Sequence, residues 1–324
     1  MTVILLLILA LILLGSFYSY HVAFYSPAHR HATADEPMVG PQYEAVSEHL
    51  HRISSIMRRY SFEDVRISSF DGTVLHGRYY HFKDGAPVEI LFHGYRSHPY
   101  RDCCGGHALA RKMGYNVLVV EQRAHGRSSG HTITFGIKER FDCLCWINYV
   151  NARFHGTTPI VLCGMSMGAA TVLMTADLPL PDNVACIVAD SPYSTPTAII
   201  ENVCADRHYP VALCRPFLYI GAFLFGKFRL SASTAIDSVR NSNVPILLIH
   251  GEADDFVPCD MSLEIAANCA SRVEVITFPG AGHGLSYISD PIRYELAVCR
   301  FLESLPALEG TIDRTYLAKL IENI

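Results

Sequence analysis

Residues 159–174 of the chain read PIVLCGMSMGAATVLM. The apolar run 160–163 predicts a buried strand, and the residues from Met167 onward predict a helix. Between them stands Gly164-Met165-Ser166-Met167-Gly168, a G-x-S-x-G sequence in a strand–turn–helix context. A turn this sharp places its serine in strained backbone angles, and the glycines two residues to either side have no Cβ to clash with neighbouring elements. The segment therefore predicts that the Ser166 hydroxyl projects from the end of a strand.

Short apolar runs alternate with helical patterns on both sides of this segment, which predicts a mostly parallel sheet with helices on both faces. Eight strands are expected, near residues 64–70, 73–82, 88–93, 116–121, 159–163, 184–189, 244–250 and 272–278. Helices are expected near residues 103–113, 135–153, 167–176, 259–270 and 290–304. Asp71-Gly72 predicts a hairpin turn between the first two strands.

Residues 192–242 interrupt this alternation with four prolines and the aromatic stretch PFLYIGAFLFGKF. An unstructured loop of this length is uncommon in a compact domain. The segment therefore predicts a small helical cap insertion. Its aromatic side chains can either pack onto the domain or contribute to an apolar substrate pocket.

A serine hydroxyl becomes a nucleophile when a base accepts its proton. Gly280-Ala281-Gly282-His283-Gly284 follows the last predicted strand, and its glycine-rich loop can present the His283 imidazole as that base. The imidazole in turn needs a carboxylate to orient it. Asp254 and Asp255 both follow the preceding strand, so at this point either residue can be the acid.

The oxyanion that forms during acyl transfer needs backbone N–H donors. One candidate is the N–H of Met167, at a predicted helix N-terminus where the helix dipole also favours negative charge. The strand near 88–93 ends in His93-Gly94-Tyr95, and the Tyr95 N–H is the second candidate. His93 and His125 are expected to hold loops through ring hydrogen bonds rather than to act as the base.

Five segments in register resemble those of a known family: HGY at 93–95, QRAHGRS at 122–128, GMSMG at 164–168, HGEADDFVP at 250–258 and GAGHG at 280–284. Over residues 60–305 the chain resembles the serine-dependent α/β hydrolases, in particular a bacterial, membrane-anchored branch related to single-domain esterases and prolyl-oligopeptidase-like catalytic domains. In that family the acid lies three residues before the valine of a Val-Pro pair. The valine here is Val257, so the resemblance assigns the acid to Asp254 and leaves Asp255 as the alternative. Ala124 departs from the family pattern, which commonly has glycine at that position.

The resemblance implies a catalytic triad of Ser166, Asp254 and His283 and an acyl-enzyme mechanism that needs no metal or organic cofactor. The expected reaction is hydrolysis of a carboxylic ester or thioester in a small-molecule acyl substrate. A serine peptidase of prolyl-oligopeptidase-like type and a non-catalytic, membrane-tethered binding module are the alternatives. The formal net charge is -5 and the basic residues form no stripe, so no nucleic-acid partner is expected.

Residues 3–14 are almost purely aliphatic, and the apolar character continues more weakly to Tyr25, with no charged side chain before Arg30. Because about 20 apolar residues span a bilayer, residues 1–25 predict an uncleaved, single-pass transmembrane anchor. A cleaved signal peptide and a buried helix are the alternatives, although no basic residue precedes the apolar run. Arg30 lies on the C-terminal side of the anchor and the eleven cysteines suit a reducing compartment, which together favour a catalytic domain facing the cytoplasm.

The expected organisation is an anchor at 1–25, a tether with an amphipathic helix near 41–59 at 26–60, an α/β-hydrolase domain at 61–305 and a tail at 306–324. Two pairs of histidines in the tether have a spacing that could touch a metal. No carboxylate or cysteine stands at a fitting offset from them, so no metal site is expected there. These pairs are His29 with His31 and His49 with His51.

Overall fold

The computed structural model describes residues 1–27 and 41–322 of the chain. Its strands are β1 (Glu63–Ser68), β2 (Val74–Tyr80), β3 (Val88–Phe92), β4 (Asn116–Glu121), β5 (Ile160–Met165), β6 (Val184–Asp190), β7 (Ile246–Gly251) and β8 (Val273–Phe278). They form one sheet in the order β1-β2-β4-β3-β5-β6-β7-β8. β2 pairs antiparallel with β1 and β4, and the other neighbours pair in parallel. The predicted mostly parallel, eight-stranded sheet is confirmed.

Helices surround this sheet. They are α1 (Thr2–Ala23), α2 (Pro41–Glu44), α3 (Ser47–Met57), α4 (Pro99–Asp102), α5 (Cys104–Met113), α6 (Glu139–Arg153), α7 (Met167–Met174), α8 (Pro196–Asp206), α9 (Val211–Leu224), α10 (Ala235–Val239), α11 (Asp260–Ala267), α12 (Ser286–Ser289), α13 (Pro291–Glu303) and α14 (Arg314–Glu322). The five helices predicted for the hydrolase domain correspond to α5, α6, α7, α11 and α13.

The hydrophobic core is divided by the sheet. Val117 and Val119 of β4 belong to one buried cluster, whereas Leu118 and Val120 belong to another. Because side chains alternate across a strand, each cluster lies on its own face of the sheet. Burial on both faces explains why the parallel strands are continuous apolar runs in the sequence.

The eleven cysteines are free thiols, and five of them are buried: Cys103, Cys104, Cys143, Cys186 and Cys299.

The segment predicted as a helical insertion contains α8, α9 and α10. Its side chains contribute to a third hydrophobic cluster, which includes Leu218 and Ala222 of α9. The same cluster contains Met167, a predicted oxyanion donor, and Val257, which lies three residues after Asp254. The insertion therefore packs directly beside the carboxyl ends of the strands.

The N-terminal helix α1 has 22 residues and, within residues 1–27 and 41–322, it alone is long and apolar enough to cross a membrane. A membrane anchor and a signal sequence share these properties. Most of its first half is exposed, but Ser16 and Tyr20 are buried. Gly221 of α9 permits close packing of the two helices, since a Cβ there would lie 2.5 Å from the Ser16 carbonyl oxygen. Part of the predicted tether, 28–40, lies outside the described residues together with His29, His31 and Arg30.

Two terminal segments differ in detail from the expectation. The single helix predicted near 41–59 is divided into α2 and α3. The segment predicted as a tail contains α14, and Leu308, Ile312 and Leu320 are buried in the cluster on one face of the sheet. Burial of these apolar side chains stabilises the segment against the domain.

Candidate active site

The turn between β5 and α7 has the strained geometry that its sequence predicts. Ser166 adopts φ 54° and ψ -116°, a conformation that a residue with a Cβ rarely takes. A Cβ on Gly168 would lie 2.1 Å from the Phe92 carbonyl oxygen, and one on Gly164 would lie 2.3 Å from the Gly168 carbonyl group. Both positions therefore require glycine, because backbone atoms leave no room for a side chain.

We expect Gly168→Ala to destabilise the fold by at least about 4 kcal/mol, because β3 and the turn would have to separate. Thermal unfolding of the purified chain measures this loss. Gly106→Ala is the matched control, since Gly106 also lies in a helix but its Cβ would meet only the Leu91 side chain at 3.3 Å. Equal unfolding temperatures for the two variants would contradict the steric argument.

Asp254 and His283 form a buried pair. The Oδ2 atom of Asp254 lies 2.7 Å from Nδ1 of His283 and 3.2 Å from Nε2 of His250. Burial alone would raise the pKa of Asp254, but hydrogen bonds from His250 and His283 outweigh it and hold that pKa at about 2. The carboxylate is therefore ionised at neutral pH. Asp255, the alternative acid, is exposed to solvent.

The loop after β7 holds the Asp254 carboxylate in one orientation. Its Oδ1 atom accepts hydrogen bonds from the backbone N–H groups of Phe256 at 3.1 Å and Val257 at 2.8 Å. The fully buried His250 ring contacts the Ser262 hydroxyl at 2.7 Å and the Val257 carbonyl at 2.8 Å. His250 was assigned no role from the sequence, although its place at the end of β7 was the available signal.

The loops that follow β3 and β8 approach the Ser166 turn. A Cβ on Gly94 would lie 3.4 Å from the Cβ of Ser166. A Cβ on Gly284, next to His283, would lie 2.8 Å from the Met165 sulfur, next to Ser166. Among the described residues no hydrogen bond joins Ser166 to His283, and such bonds in ligand-free enzymes often form only with substrate.

Residues at the carboxyl end of β6 connect the serine turn to the histidine loop. The Ser166 N–H donates to the Asp190 carbonyl at 2.8 Å, and the Gly284 N–H donates to the Ser191 hydroxyl at 3.4 Å. Burial raises the pKa of the Asp190 carboxyl to about 6. Asp190 and Ser191 were missed in the sequence, although the carboxyl end of a strand beside β5 is where such groups gather.

The loop that follows β3 is held by buried polar groups. The Gly94 N–H donates to Oδ2 of Asp102 at 2.8 Å. The His93 ring contacts the Gly94 carbonyl at 2.8 Å and accepts from the Gln122 N–H at 3.1 Å, and burial lowers its pKa to about 3. His125 accepts from the Arg96 N–H at 3.0 Å. The His93 and His125 rings therefore both contact backbone groups of nearby loops. The expectation that these two histidines hold loops requires such contacts.

The helix α2 also reaches the site. The Tyr43 hydroxyl donates to the His283 carbonyl at 3.1 Å. Nothing in the sequence around Tyr43 indicates this contact, because it depends on how the segment before β1 folds back.

Within the part of the chain that the structure describes, no group of three or more His, Cys, Asp or Glu side chains could hold a metal ion.

Comparison with known proteins agrees with this architecture. A family model described as "alpha/beta hydrolase fold" matches residues 88–211. The structure of the Pyrococcus furiosus esterase Pf2001 is similar with a TM-score of 0.61 and 23% identity, over 76% of this chain and 93% of that chain. The chain has the α/β-hydrolase fold. The resemblance carried by the five sequence segments is therefore confirmed at the level of the fold.

The chain is also similar to the Pyrococcus horikoshii acylaminoacyl peptidase, with a TM-score of 0.58 and 19% identity over 82% of this chain and 45% of that one. Human ABHD12B is 30% identical over 224 residues, 63% of this chain and 57% of the human protein. The Bacillus subtilis protein YqkD is 24% identical over 194 residues, 60% of this chain and 64% of YqkD. The chain thus matches less than two thirds of the length of these two relatives.

Proposed function

We propose that this chain is a serine hydrolase that cleaves a carboxylic ester or thioester through an acyl-enzyme. The observation that carries the proposal is the buried Asp254–His283 pair, bonded at 2.7 Å, beside the strained turn of Ser166. An ionised carboxylate on Nδ1 fixes the imidazole tautomer that leaves Nε2 able to accept a proton. The arrangement is thus suited to activating a hydroxyl.

In the proposed reaction the Ser166 Oγ attacks the acyl carbonyl carbon while His283 accepts the hydroxyl proton. The tetrahedral oxyanion accepts hydrogen bonds from the N–H groups of Met167, at the start of α7, and Tyr95. His283 then donates its proton to the departing alcohol or thiol. Water, activated by the same imidazole, attacks the acyl-enzyme and releases the acid and the serine.

A serine peptidase is the second candidate, favoured by the structural likeness to an acylaminoacyl peptidase. The same triad can attack an amide, but the leaving amine is poorer and must be protonated as it departs. Peptidase activity therefore requires the same residues and differs in the substrate that the surrounding loops admit.

The two candidates are separated by a substrate panel on the full chain in detergent. We expect turnover of p-nitrophenyl esters and acyl thioesters, and little turnover of aminoacyl p-nitroanilides. Turnover of anilides alone would favour the peptidase. Turnover of none of these compounds, on a folded sample, would contradict the hydrolase proposal.

A further inference from the structure

The loop that carries the proposed oxyanion donor Tyr95 is bonded to the end of the N-terminal helix. The Nη2 atom of Arg96 donates to the carbonyl oxygens of Val22 and Tyr25, both at 2.9 Å. The Tyr95 hydroxyl donates to the carbonyl oxygen of Ala23 at 2.7 Å. The last carbonyls of a helix lack intrahelical partners, and a cation there also complements the helix dipole. Arg96 and Tyr95 together cap α1.

The end of α1 is seated in the catalytic domain by further contacts. Phe24 is completely buried, with its ring in edge-to-face contact with Phe135 at 5.8 Å and Phe228 at 5.2 Å. The Ser26 N–H donates to the His131 carbonyl at 2.8 Å, and the Ile133 N–H donates to the Phe24 carbonyl at 2.8 Å. The chain at 24–26 is therefore integrated into the domain rather than a free connection to it.

The other side of the same loop faces the nucleophile. Gly94 packs against Ser166, as described above, and the Tyr95 ring stacks on Phe135 at 5.0 Å. Arg96 has a positive φ of 49° and its N–H is held by His125. Residues 94–96 thus lie between the helix end on one side and the serine turn on the other.

We propose that the docked end of α1 positions the oxyanion loop, so that this helix is retained in the mature protein and is needed for full catalytic rate. Arg96 and the Tyr95 hydroxyl are the positioning groups, acting through the Tyr95 backbone. The inference rests on the proposed serine hydrolase function. It assigns the N-terminal helix a role in the reaction in addition to that of an anchor.

The test compares Arg96→Gln, Arg96→Lys and Tyr95→Phe in the full chain, in detergent, with a p-nitrophenyl ester and the corresponding thionoester. Sulfur accepts hydrogen bonds more weakly than oxygen, so the wild type should strongly prefer the ester. Losing one oxyanion donor costs about 10²–10³ in kcat. In Arg96→Gln the Tyr95 N–H is misplaced rather than lost, so we expect ester kcat to fall by about 10-fold to 100-fold with little change in KM. The loss of kcat with the thionoester should be much smaller. Arg96→Lys, which keeps a cationic donor, should restore part of the preference.

Arg240→Gln is the matched control, because Arg240 is an exposed arginine whose guanidinium also donates to two partners, Asp237 and Asn268. It should leave the ester and thionoester rates unchanged. Equal losses of both rates in Arg96→Gln, or no loss, would overturn the positioning role. Tyr95→Phe is nearly isosteric with the wild type and provides the test if Arg96→Gln does not fold. We expect a smaller fall in the preference for ester over thionoester in Tyr95→Phe. An unchanged preference in Tyr95→Phe would also overturn the positioning role.

The retention of the helix is tested separately by the mass of the mature protein purified from cells. We expect a chain that still contains all of α1, Thr2–Ala23, whereas a chain that begins after Phe24 would overturn the inference. Ser166→Ala distinguishes the two levels of the argument. Full ester turnover by Ser166→Ala would contradict the proposed function itself. If Ser166→Ala loses turnover but Arg96→Gln keeps the wild-type preference for ester over thionoester, only the inference about the helix is contradicted.

Discussion

Replacing Ser166 with alanine is expected to lower kcat for ester hydrolysis by about 10⁶-fold and to abolish labelling by a fluorophosphonate probe. The variant loses only the Oγ atom, and its backbone and Cβ keep the same place in the turn between β5 and α7. Without the hydroxyl no acyl-enzyme forms, and only the residual effect of the oxyanion donors and substrate binding remains. Labelling and turnover of the purified full chain measure both losses.

Ser191→Ala is the matched control for that experiment. Ser191 is also a buried serine with a φ of 54°, and it lies at the end of the strand next to the serine turn. Its hydroxyl donates to Oδ1 of Asp190 at 3.0 Å and accepts from the Gly284 N–H at 3.4 Å. Neither bond involves the Ser166 hydroxyl or the His283 ring, so labelling should persist. A probe that labels the Ser166→Ala chain at another residue would show that Ser166 is not the nucleophile.

The second large effect is expected for Asp254→Asn, which should lower kcat by about 10⁴-fold. The amide has the shape of the carboxylate but carries no charge, so it no longer fixes the productive tautomer of His283 or stabilises the imidazolium. The pKa of Asp254 is held at about 2, below its ordinary value, so the carboxylate stays ionised until the pH falls toward 2. The loss should therefore persist across the neutral range rather than appear at one pH.

Asp255→Asn tests the same assignment from the adjacent position. Its side chain is exposed, and we expect its kcat to change less than tenfold. Each variant should be checked by circular dichroism, because Asp254 also accepts hydrogen bonds from two backbone N–H groups. An inactive Asp255 variant beside an active Asp254 variant would show that the acid lies one residue further along the chain.

The fold and the residue types of the site are readable from the sequence because their signals are local. The apolar run, the G-x-S-x-G turn and the following helix determine the geometry of Ser166 within ten residues, and the glycine contacts follow from that geometry. Buried parallel strands such as β6 and β7 also leave a continuous apolar run. All eight strands were predicted close to their observed positions. The structure adds that Asp254, rather than the neighbouring Asp255, is bonded to His283.

What the sequence alone determined is the order of the eight strands and of the five main helices between and after them, together with the loops expected to carry Ser166, Asp254 and His283. Only the tertiary structure decided which groups hold those loops. The contacts of Tyr43 with His283 and of Arg96 with the end of α1 join segments that are far apart in sequence, 240 residues in the first case and 74 and 71 in the second. The same applies to α14, whose buried Leu320 lies in the cluster on one face of the sheet. Such contacts depend on how separate elements pack in three dimensions, and no short-range pattern of apolar and polar residues records that packing.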